Sequence, residues 1–513
     1  MLPWIRPLLL TLQLMGWCVL IAAVLGLLLA WSASNLSPRR PVGRLVRLYF
    51  LCSTLTCLAI PMILHATAWE STAGKFGWMT FSQTGARTYT GLGGWYSGMI
   101  ASAWIHGLVG TALVALATWY GTSRIPAAVV DQGRLDGGRV WNWWRIRLPI
   151  AMPWVGTALL ATGILAATEM TVVDLYGVRT LADEYYLFHS AQPSMISILM
   201  VLVLPAIFLI AAISLWVMHR PRHFQALTVG QMQRETGSPS RSHPFAVAVV
   251  IGLSTLLFIF PLAGLVVKAG HEVIVSPGQD AATTVGWSFS RTVQTLARAP
   301  LEFRREYAWT VLLAVGVAAV CLPVAWIAAS IARPRFRLGR FFDFLSIVAV
   351  LIPGPIVGLV IVHLFAFPIP GLRRAYNETL VPTGLALMFR ALPVAYWILR
   401  AGYRGLDQPL WDTARLDFSW GQRMWRIDRP LLAKPLLIAA LAAAVVASGD
   451  VPATLPVLPP GVVTVGTRLF GLLHSGARYQ EAALAFWYIV VIVVICMLAV
   501  LGCRPAAVKI KHD

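Results

Sequence analysis

The sequence predicts an all-α, polytopic membrane protein, and three observations support that prediction. First, 58% of the 513 residues are hydrophobic, and the mean hydropathy is +0.72. Second, Asp, Glu, Lys and Arg make up only 12% of the chain, about half the share found in soluble domains. Third, the apolar residues form separate runs long enough to cross about 30 Å of hydrocarbon. Such runs are helices there, because every backbone amide needs a partner within its own segment.

Eleven apolar runs are the predicted spans. The first is too long for the hydrophobic region of a signal peptide and lacks a small-residue cleavage site, so we expect a span there. Each boundary is set by where charged and turn-forming residues begin. The runs cover residues 8–31, 45–68, 98–120, 152–173, 193–218, 246–268, 307–331, 343–367, 380–400, 434–450 and 482–503.

The distribution of Lys and Arg predicts the orientation of the spans. With the loop 121–151 in the cytoplasm, that side carries 25 of the 41 basic residues and the opposite side 12. Cytoplasmic loops of membrane proteins carry such an excess. The pattern predicts a cytoplasmic C-terminus and, with eleven spans, an outer N-terminus. The net charge of +20 follows from the same bias, so nucleic acid is not an expected partner.

A sixteen-residue pattern occurs twice in the chain. RLDGGRVWNWWRIRLP ends at Pro149, and RLDFSWGQRMWRIDRP ends at Pro430. Seven positions are identical at a constant offset of 281 residues, against about one expected from average residue usage. Twenty residues after each proline stands an acid, Glu169 and Asp450. We therefore predict a duplication in parallel orientation: a first half at 1–222 with five spans, a linker at 223–245, and a second half at 246–513 with six.

The duplicated loop allows two interpretations. It lies on the basic side and alternates charge with aromatic bulk, which suits a helix that lies on a membrane surface. It also suits a docking surface for a partner protein. Lipid anchoring requires only composition, whereas docking requires identity and spacing. Two copies at equivalent places therefore favour a partner with two matched sockets.

Both loops resemble the cytoplasmic coupling loop of permeases from binding-protein-dependent ABC importers. That motif reads E-A-A, three residues, Gly and, further on, I-x-L-P. The copies here are DQGRLDGG…WRIRLP and DTARLDFS…WRIDRP, starting at Asp131 and Asp412. Both copies have Asp in place of the Glu, and the Gly is kept as Gly137 but replaced by Phe418. The fused layout with two loops resembles the iron(III)-type permeases and their thiamine and phosphonate relatives.

The resemblance implies an ABC importer type I permease fold in the bacterial inner membrane. A dimer of ATP-binding subunits would hold ATP and magnesium and clamp both loops, and a periplasmic binding protein would deliver the solute, with iron(III) expected. This chain would hold no cofactor or metal and would not be an enzyme. The residues implied in coupling to the ATPase are Asp131, Arg134, Leu135, Asp136, Gly137, Pro149, Asp412, Arg415, Leu416, Asp417 and Pro430.

Glu169 and Asp450 are the candidate residues of the translocation path, because ionisable groups at membrane depth are usually functional. An equal alternative is an acid at a helix end, exposed to the periplasm or paired with an arginine. His106 is expected to be packed or hydrogen-bonded. Arg390, inside an apolar run, is expected to snorkel or to pair with an acid.

Other functions predict different sequence features. The chain contains no G-x-x-x-x-G-K-[ST] sequence, so it is not expected to bind ATP itself. A secondary active transporter with repeated halves and no ATPase partner is the main alternative, and it should carry acids or Gly/Pro breaks at mid-span. A membrane-embedded enzyme should show acids and histidines clustered at one face, which the sequence does not contain.

Overall fold

The computed structural model describes residues 5–37, 40–74, 96, 98–191, 207–215, 243–275, 283–333, 336–475 and 478–502. Within these ranges the chain is almost entirely helical. Eight helices are long and apolar enough to cross a membrane, or ten spans if two bent pairs are included. The predicted all-α, polytopic character is confirmed. Most of the predicted run 193–218 and of the linker 223–245 lies outside the described residues.

The helices follow the predicted runs in order. Those of the N-terminal part are α1 (Ile5–Ser34), α2 (Pro41–Ala59), α3 (Met62–Ala73), α4 (Gly98–Ser123), α5 (Ala127–Asn142), α6 (Leu148–Thr168), α7 (Thr171–Leu175), α8 (Leu181–Ala191) and α9 (207–215). An additional span follows as α10 (Pro244–Ser254), a π-helical turn (Thr255–Ile259) and α11 (Phe260–Ala269).

The C-terminal part opens with a hairpin. Its strands are β1 (His271–Val275) and β2 (Thr283–Trp287). The helices are α12 (Phe289–Glu302), α13 (Arg304–Ala332), α14 (Phe336–Leu351), α15 (Gly354–Ala366), α16 (Leu372–Glu378), α17 (Val381–Arg404), α18 (Gln408–Asp417), α19 (Trp420–Arg423), α20 (Arg429–Leu431), α21 (Ala433–Gly449), α22 (Val451–Thr454), α23 (Val465–Ser475) and α24 (Arg478–Gly502).

Two predicted spans, 45–68 and 343–367, are not single helices, and prolines explain why. α2 stops before Pro61, and α14 and α15 meet at Pro353 with a bend of 100°. A proline has no N–H to donate, and the residue before it avoids the helical conformation. Side chains bind carbonyls beside both breaks: His65 Nε2 lies 2.9 Å from the Cys57 oxygen, and Arg390 Nη1 donates to the Ile352 oxygen at 2.9 Å.

Two groups of three helices pack closely within the molecule. α1, α4 and α6 pack against one another, and α13, α17 and α21 do the same. Alanines fill much of the second group, among them Ala325, Ala391 and Ala443, and let its helices approach closely. The outward faces of α1 and α13 expose large apolar side chains such as Val24 and Val315. Such faces suit hydrocarbon and would be unfavourable in water.

The end of each part packs against the middle of the other. α8 contacts α15, and α23 contacts α3. Likewise α24 packs on α2, while α9 meets α14 through stacked Phe208 and Phe344 rings with centroids 6.1 Å apart. The additional span, α10 and α11, lies against α2, α3 and α24. The two parts are therefore interlocked rather than side by side.

The segment 269–306 contains structure that the sequence did not predict. β1 and β2 pair antiparallel, with His271 opposite Trp287. The Trp287 indole N–H donates to the Val267 oxygen at 2.9 Å and ties the hairpin to α11. Helix α12 follows and exposes Phe289 and Leu301. Strands this short are hard to recognise because their β-branched residues are also frequent in apolar helices.

Candidate functional site

The two duplicated loops have the same secondary structure at the same offset. α5 begins at Ala127 and α18 at Gln408, which are 281 residues apart. The π-helical turns Trp143–Arg147 and Met424–Asp428 keep this offset at both ends. The helices that follow start at Leu148 and Arg429, and the spans end at Thr168 and Gly449, again 281 residues apart.

The loops turn back at equivalent points by different means. In the first, Gly138 interrupts α5 with φ +77° and ψ −172°, a conformation that only glycine adopts readily. Gly137 was the predicted motif glycine, but the turn requires the next residue. In the second loop, Phe418 is extended, and the Ser419 N–H donates to Gln422 Oε1 at 3.3 Å as α19 starts. Both loops thus interrupt the helix near the same point, although the residues differ.

Both loops present the same apolar side chains outward. Leu135 is 83% exposed and Leu416 87%, and these two residues are equivalent. Trp144 and Trp425 form a second exposed, equivalent pair. The opposite faces are buried at equivalent positions as well, for example at Trp143 and Met424. The start of the first loop lies close to its return: a Cβ on Gly133 would lie 2.3 Å from Asn142 and Ile146 side-chain atoms.

The charged residues predicted for coupling surround these leucines. Asp131 pairs with Arg134 at 3.1 Å, Gln132 donates to Asp136 at 2.9 Å, and Gln408 donates to Asp412 at 3.0 Å. Arg415 lies over the Trp411 ring, 5.0 Å from its centroid, and Asp417 is exposed. Pro149 and Pro430 stand in the first turns of α6 and α20. The structure therefore places the predicted acidic and basic residues of each loop on one helix, α5 in the first loop and α18 in the second.

Glu169 ends the span α6 and starts the next helix. Its carboxylate accepts the backbone N–H of Thr171 at 2.8 Å and of Val172 at 3.0 Å, so it caps α7. Because the Glu169 carboxylate caps a new helix at this point, the predicted span 152–173 ends at Thr168. The same carboxylate lies 3.4 Å from His106 Nε2 on α4, and only 8% of it is exposed.

Asp450 has the corresponding place at the end of α21. Oδ1 accepts the Ala453 N–H at 3.2 Å and caps α22, while Oδ2 accepts from Arg390 Nε at 2.7 Å. Arg390 is therefore paired with an acid, as expected. Since α17 starts at Val381, this pair lies about 13 Å along that helix. The sequence repeat did not identify His106 as the partner of Glu169. The equivalent acid, Asp450, has Arg390 as its partner, and His106 and Arg390 are not separated by the offset of 281 residues.

A small cavity adjoins the second acid. Hydroxyl groups contribute to its wall beside the Asp450 carboxylate, from Thr310, Ser448, Thr454 and Thr464. Among the described residues, no three His, Cys, Asp or Glu side chains are grouped so that they could hold a metal ion. The cavity lies next to a broken span, is lined by apolar as well as polar side chains, and has room for about one water molecule.

An ion pair joins the two parts of the chain on the side of the acids. His474 Nε2 on α23 lies 3.2 Å from Asp174 Oδ2 on α7. The hydrogen bond to Asp174 raises the pKa of His474 above its ordinary value, in opposition to burial. Nearby on α8, burial and the charge of Asp174 raise the pKa of Asp183 to about 7. Two groups with raised pKa values, His474 and Asp183, therefore lie near one another on this side of the molecule.

No protein-family model matches the chain, and no curated protein matches it. The geometry of the loops and of the acids is therefore the basis on which a function can be argued.

Proposed function

We propose that this chain is the permease subunit of an ATP-driven ABC importer and forms the path for a small solute. The observation that carries the proposal is the pair of exposed leucines, Leu135 and Leu416, at equivalent points of two loops with the same helix bounds. Apolar side chains exposed this far favour burial in a partner. A dimer of ATP-binding subunits would offer one socket to each loop.

The loops are well placed to move the spans. The first is continuous with α6 through a π-helical turn, and α6 is 21 residues long, or about 30 Å. The second reaches α21 through a π-helical turn, α20 and a bend of 85°. The far end of α6 carries Glu169, and the equivalent end of α21 carries Asp450. Movement of the first loop would reach Glu169 as a rigid-body shift, whereas movement of the second would pass through the bend. Breaking the Glu169–His106 and Asp450–Arg390 pairs would then open the path between two halves of a type I permease.

The partners and solute follow from the same proposal. Two ATP-binding subunits would bind ATP and magnesium on the cytoplasmic side of the bacterial inner membrane, and a periplasmic binding protein would dock on the outer side. The fused layout supports iron(III) as the solute. Uptake assays with the cognate binding protein, loaded with iron(III) or with a competing solute, would show which solute is transported.

Co-purification with the candidate ATPase tests the proposal. We expect Leu135→Arg combined with Leu416→Arg to weaken the complex by at least about tenfold, because both anchors are lost. The matched control is Leu301→Arg, since Leu301 is also 76% exposed but lies on α12 at a distance from the loops. Binding that is equal in the parent, the double variant and the control would rule out the coupling surface.

A secondary active transporter is the second candidate, and one observation favours it. Glu169 and His106 form a buried acid–histidine pair beside a broken span, and acids and histidines inside membranes often serve as proton relays in transporters. Such a protein would accumulate solute in proteoliposomes under a pH gradient without ATPase or ATP, and Glu169→Gln would abolish the accumulation. The importer would instead require both ATP and the ATPase.

A further inference from the structure

Each duplicated loop buries one guanidinium group against a tryptophan. In the first loop Arg147 is 9% exposed and lies over the Trp143 ring, 5.5 Å from its centroid. In the second loop Arg423 is 5% exposed and lies 4.6 Å from the Trp411 ring centroid. Both cations are removed from water, and each therefore needs a nearby anion.

Only the second loop supplies that anion itself. Asp428 Oδ2 lies 3.8 Å from Arg423 Nε and accepts the Tyr403 hydroxyl at 3.0 Å. The residue equivalent to Asp428 in the first loop is Arg147 itself, so the acid there is replaced by a base. The residue equivalent to Arg423 is Asn142, whose side chain donates to the Val130 oxygen at 2.9 Å.

Arg147 has no such counter-ion. It makes no ion pair with any described residue, and its Nε is buried without a hydrogen-bond partner. The charge that acts on it is that of Arg134, which is also positive and is itself paired with Asp131 at 3.1 Å. An uncompensated buried charge is strongly unfavourable. The geometry calls for an anion from outside the described chain.

The position of Arg147 indicates the source of the anion. It immediately precedes the span α6, and the neighbouring Trp143 packs against Ala30 and Trp31 at the end of the span α1. The site is thus at the level where spans leave the hydrocarbon, which is where lipid phosphates lie and tryptophans concentrate. Basic pockets between spans at this depth bind anionic head groups.

The difference between the loops argues against a protein as the source. The surfaces suited to matched sockets, Leu135 with Leu416 and Trp144 with Trp425, are present in both loops. Arg147 is not matched, since its equivalent Asp428 is an acid that would repel a phosphate. A ligand of Arg147 is therefore bound by the first loop alone. A lipid meets this requirement, whereas a symmetric dimer of subunits does not.

We propose that Arg147, with Arg134 beside it, binds the phosphate group of an anionic phospholipid at the loop end of α6. The inference goes beyond the proposed transport function and does not depend on an ATPase. The neutral headgroup of phosphatidylcholine would bind less well, because its choline cation faces two guanidinium groups.

The test uses the full chain purified in detergent, with thermal unfolding as the readout. Phosphatidylglycerol, phosphatidylcholine and inorganic phosphate are titrated separately into the parent, Arg147→Gln, Arg147→Lys and Arg145→Gln. Arg145 is the matched control because it is an exposed arginine of the same loop. We expect phosphatidylglycerol to stabilise the parent more than phosphatidylcholine does. Arg147→Gln should lower the apparent affinity at least about tenfold, while Arg145→Gln retains it.

Each outcome is informative. Stabilisation by inorganic phosphate that Arg147→Gln abolishes would support the same anion site with a free phosphate as its ligand. If Arg147→Gln fails to fold, Arg147→Lys retains the charge and should still respond to phosphatidylglycerol. An equal loss of affinity for phosphatidylglycerol in Arg147→Gln and Arg145→Gln would overturn the proposal, as would the absence of stabilisation by any anion. So would a loss of ATPase binding in Arg147→Gln without any lipid response, because the anion would then be a carboxylate of the partner.

Discussion

The two acids at the broken spans face bases of different kinds. Asp450 is paired with Arg390, and a guanidinium stays charged at all physiological pH values. Glu169 faces the imidazole of His106 at 3.4 Å, whereas Arg390 and Asp450 are 2.7 Å apart. The Asp450–Arg390 contact is therefore the shorter one, and its base carries a fixed charge. If both contacts open in the proposed transport cycle, the Asp450–Arg390 contact will be the costlier one to break.

Replacement of Arg390 tests the strength of that pair. Arg390→Met leaves the Asp450 carboxylate, only 10% exposed, without its base and the Ile352 carbonyl without its donor. We expect a loss of about 3 kcal/mol in the free energy of unfolding. The matched control is Arg374→Met: Arg374 also pairs with an acid at 2.7 Å but is 79% exposed, so about 0.5 kcal/mol or less is expected. Thermal unfolding in detergent measures the loss of stability in both variants. Equal losses would contradict a strongly stabilising Arg390–Asp450 pair.

At the level of elements, the breaks between helices arise from a few residues. Prolines interrupt α2–α3 and α14–α15, while capping carboxylates end α6 and α21. All four breaks leave backbone groups that need partners in a membrane. The structure places a polar side chain at each of them. In the proposed transport cycle, motion would concentrate at such points because the intact helices between them would move as rigid bodies.

The turn of the first loop depends on Gly138. We expect Gly138→Ala to cost about 2 kcal/mol, because its φ of +77° with ψ of −172° is nearly restricted to glycine. Gly156 on α6 is the matched control: a Cβ there meets no atom within 4 Å, so alanine should be neutral or stabilising by up to about 1 kcal/mol. Thermal unfolding compares the two variants. A Gly138→Ala protein as stable as the parent would show that the turn does not need this conformation.

At the scale of the whole molecule, interlocked packing makes the two parts one unit. α8 and α23 each cross to the opposite part, and the Asp174–His474 pair ties α7 to α23. Separation of the parts on this side must break that pair. The contact is half-exposed, so it adds only modestly to the stability of the contact between the parts.

A pH dependence follows from this pair. Because the pKa of His474 is raised in the folded state, its stabilisation is complete below about pH 6.5, the ordinary value, and is lost as pH rises through the raised pKa. We expect the parent to lose its stability advantage over His474→Gln above neutral pH, by about 1 kcal/mol or less.

Melting temperatures between pH 6 and 9 would measure this difference. The pKa of Asp183 is raised to about 7, so its contribution to the stability of the folded protein is also lost as pH rises. Its contribution is common to the parent and the His474→Gln variant and cancels when they are compared. Parallel curves of melting temperature against pH for the two proteins would contradict a stabilising Asp174–His474 pair. The variant Asp183→Asn would measure the contribution of Asp183 separately.

The sequence alone determined the membrane character, most spans, the duplicated loop and the places of Glu169 and Asp450. These properties are local: the runs are apolar over a continuous stretch, and helix formation in hydrocarbon is enforced by the backbone. The loop was recognisable because identical residues recur at one spacing. The layout of five and six spans in two halves stays a prediction, since the run 193–218 lies mostly outside the described residues.

The tertiary structure decided which groups meet. Arg390 and Asp450 are 60 residues apart in the chain, and nothing in the pattern relates His106 to Glu169. The contrast between Arg147, without a counter-ion, and Arg423, beside Asp428, likewise became visible only with both loops folded. Pairing of charges and burial of one helix face depend on contacts between segments distant in sequence. Hydrophobic periodicity determines where a helix runs, but only packing determines what its polar side chains face.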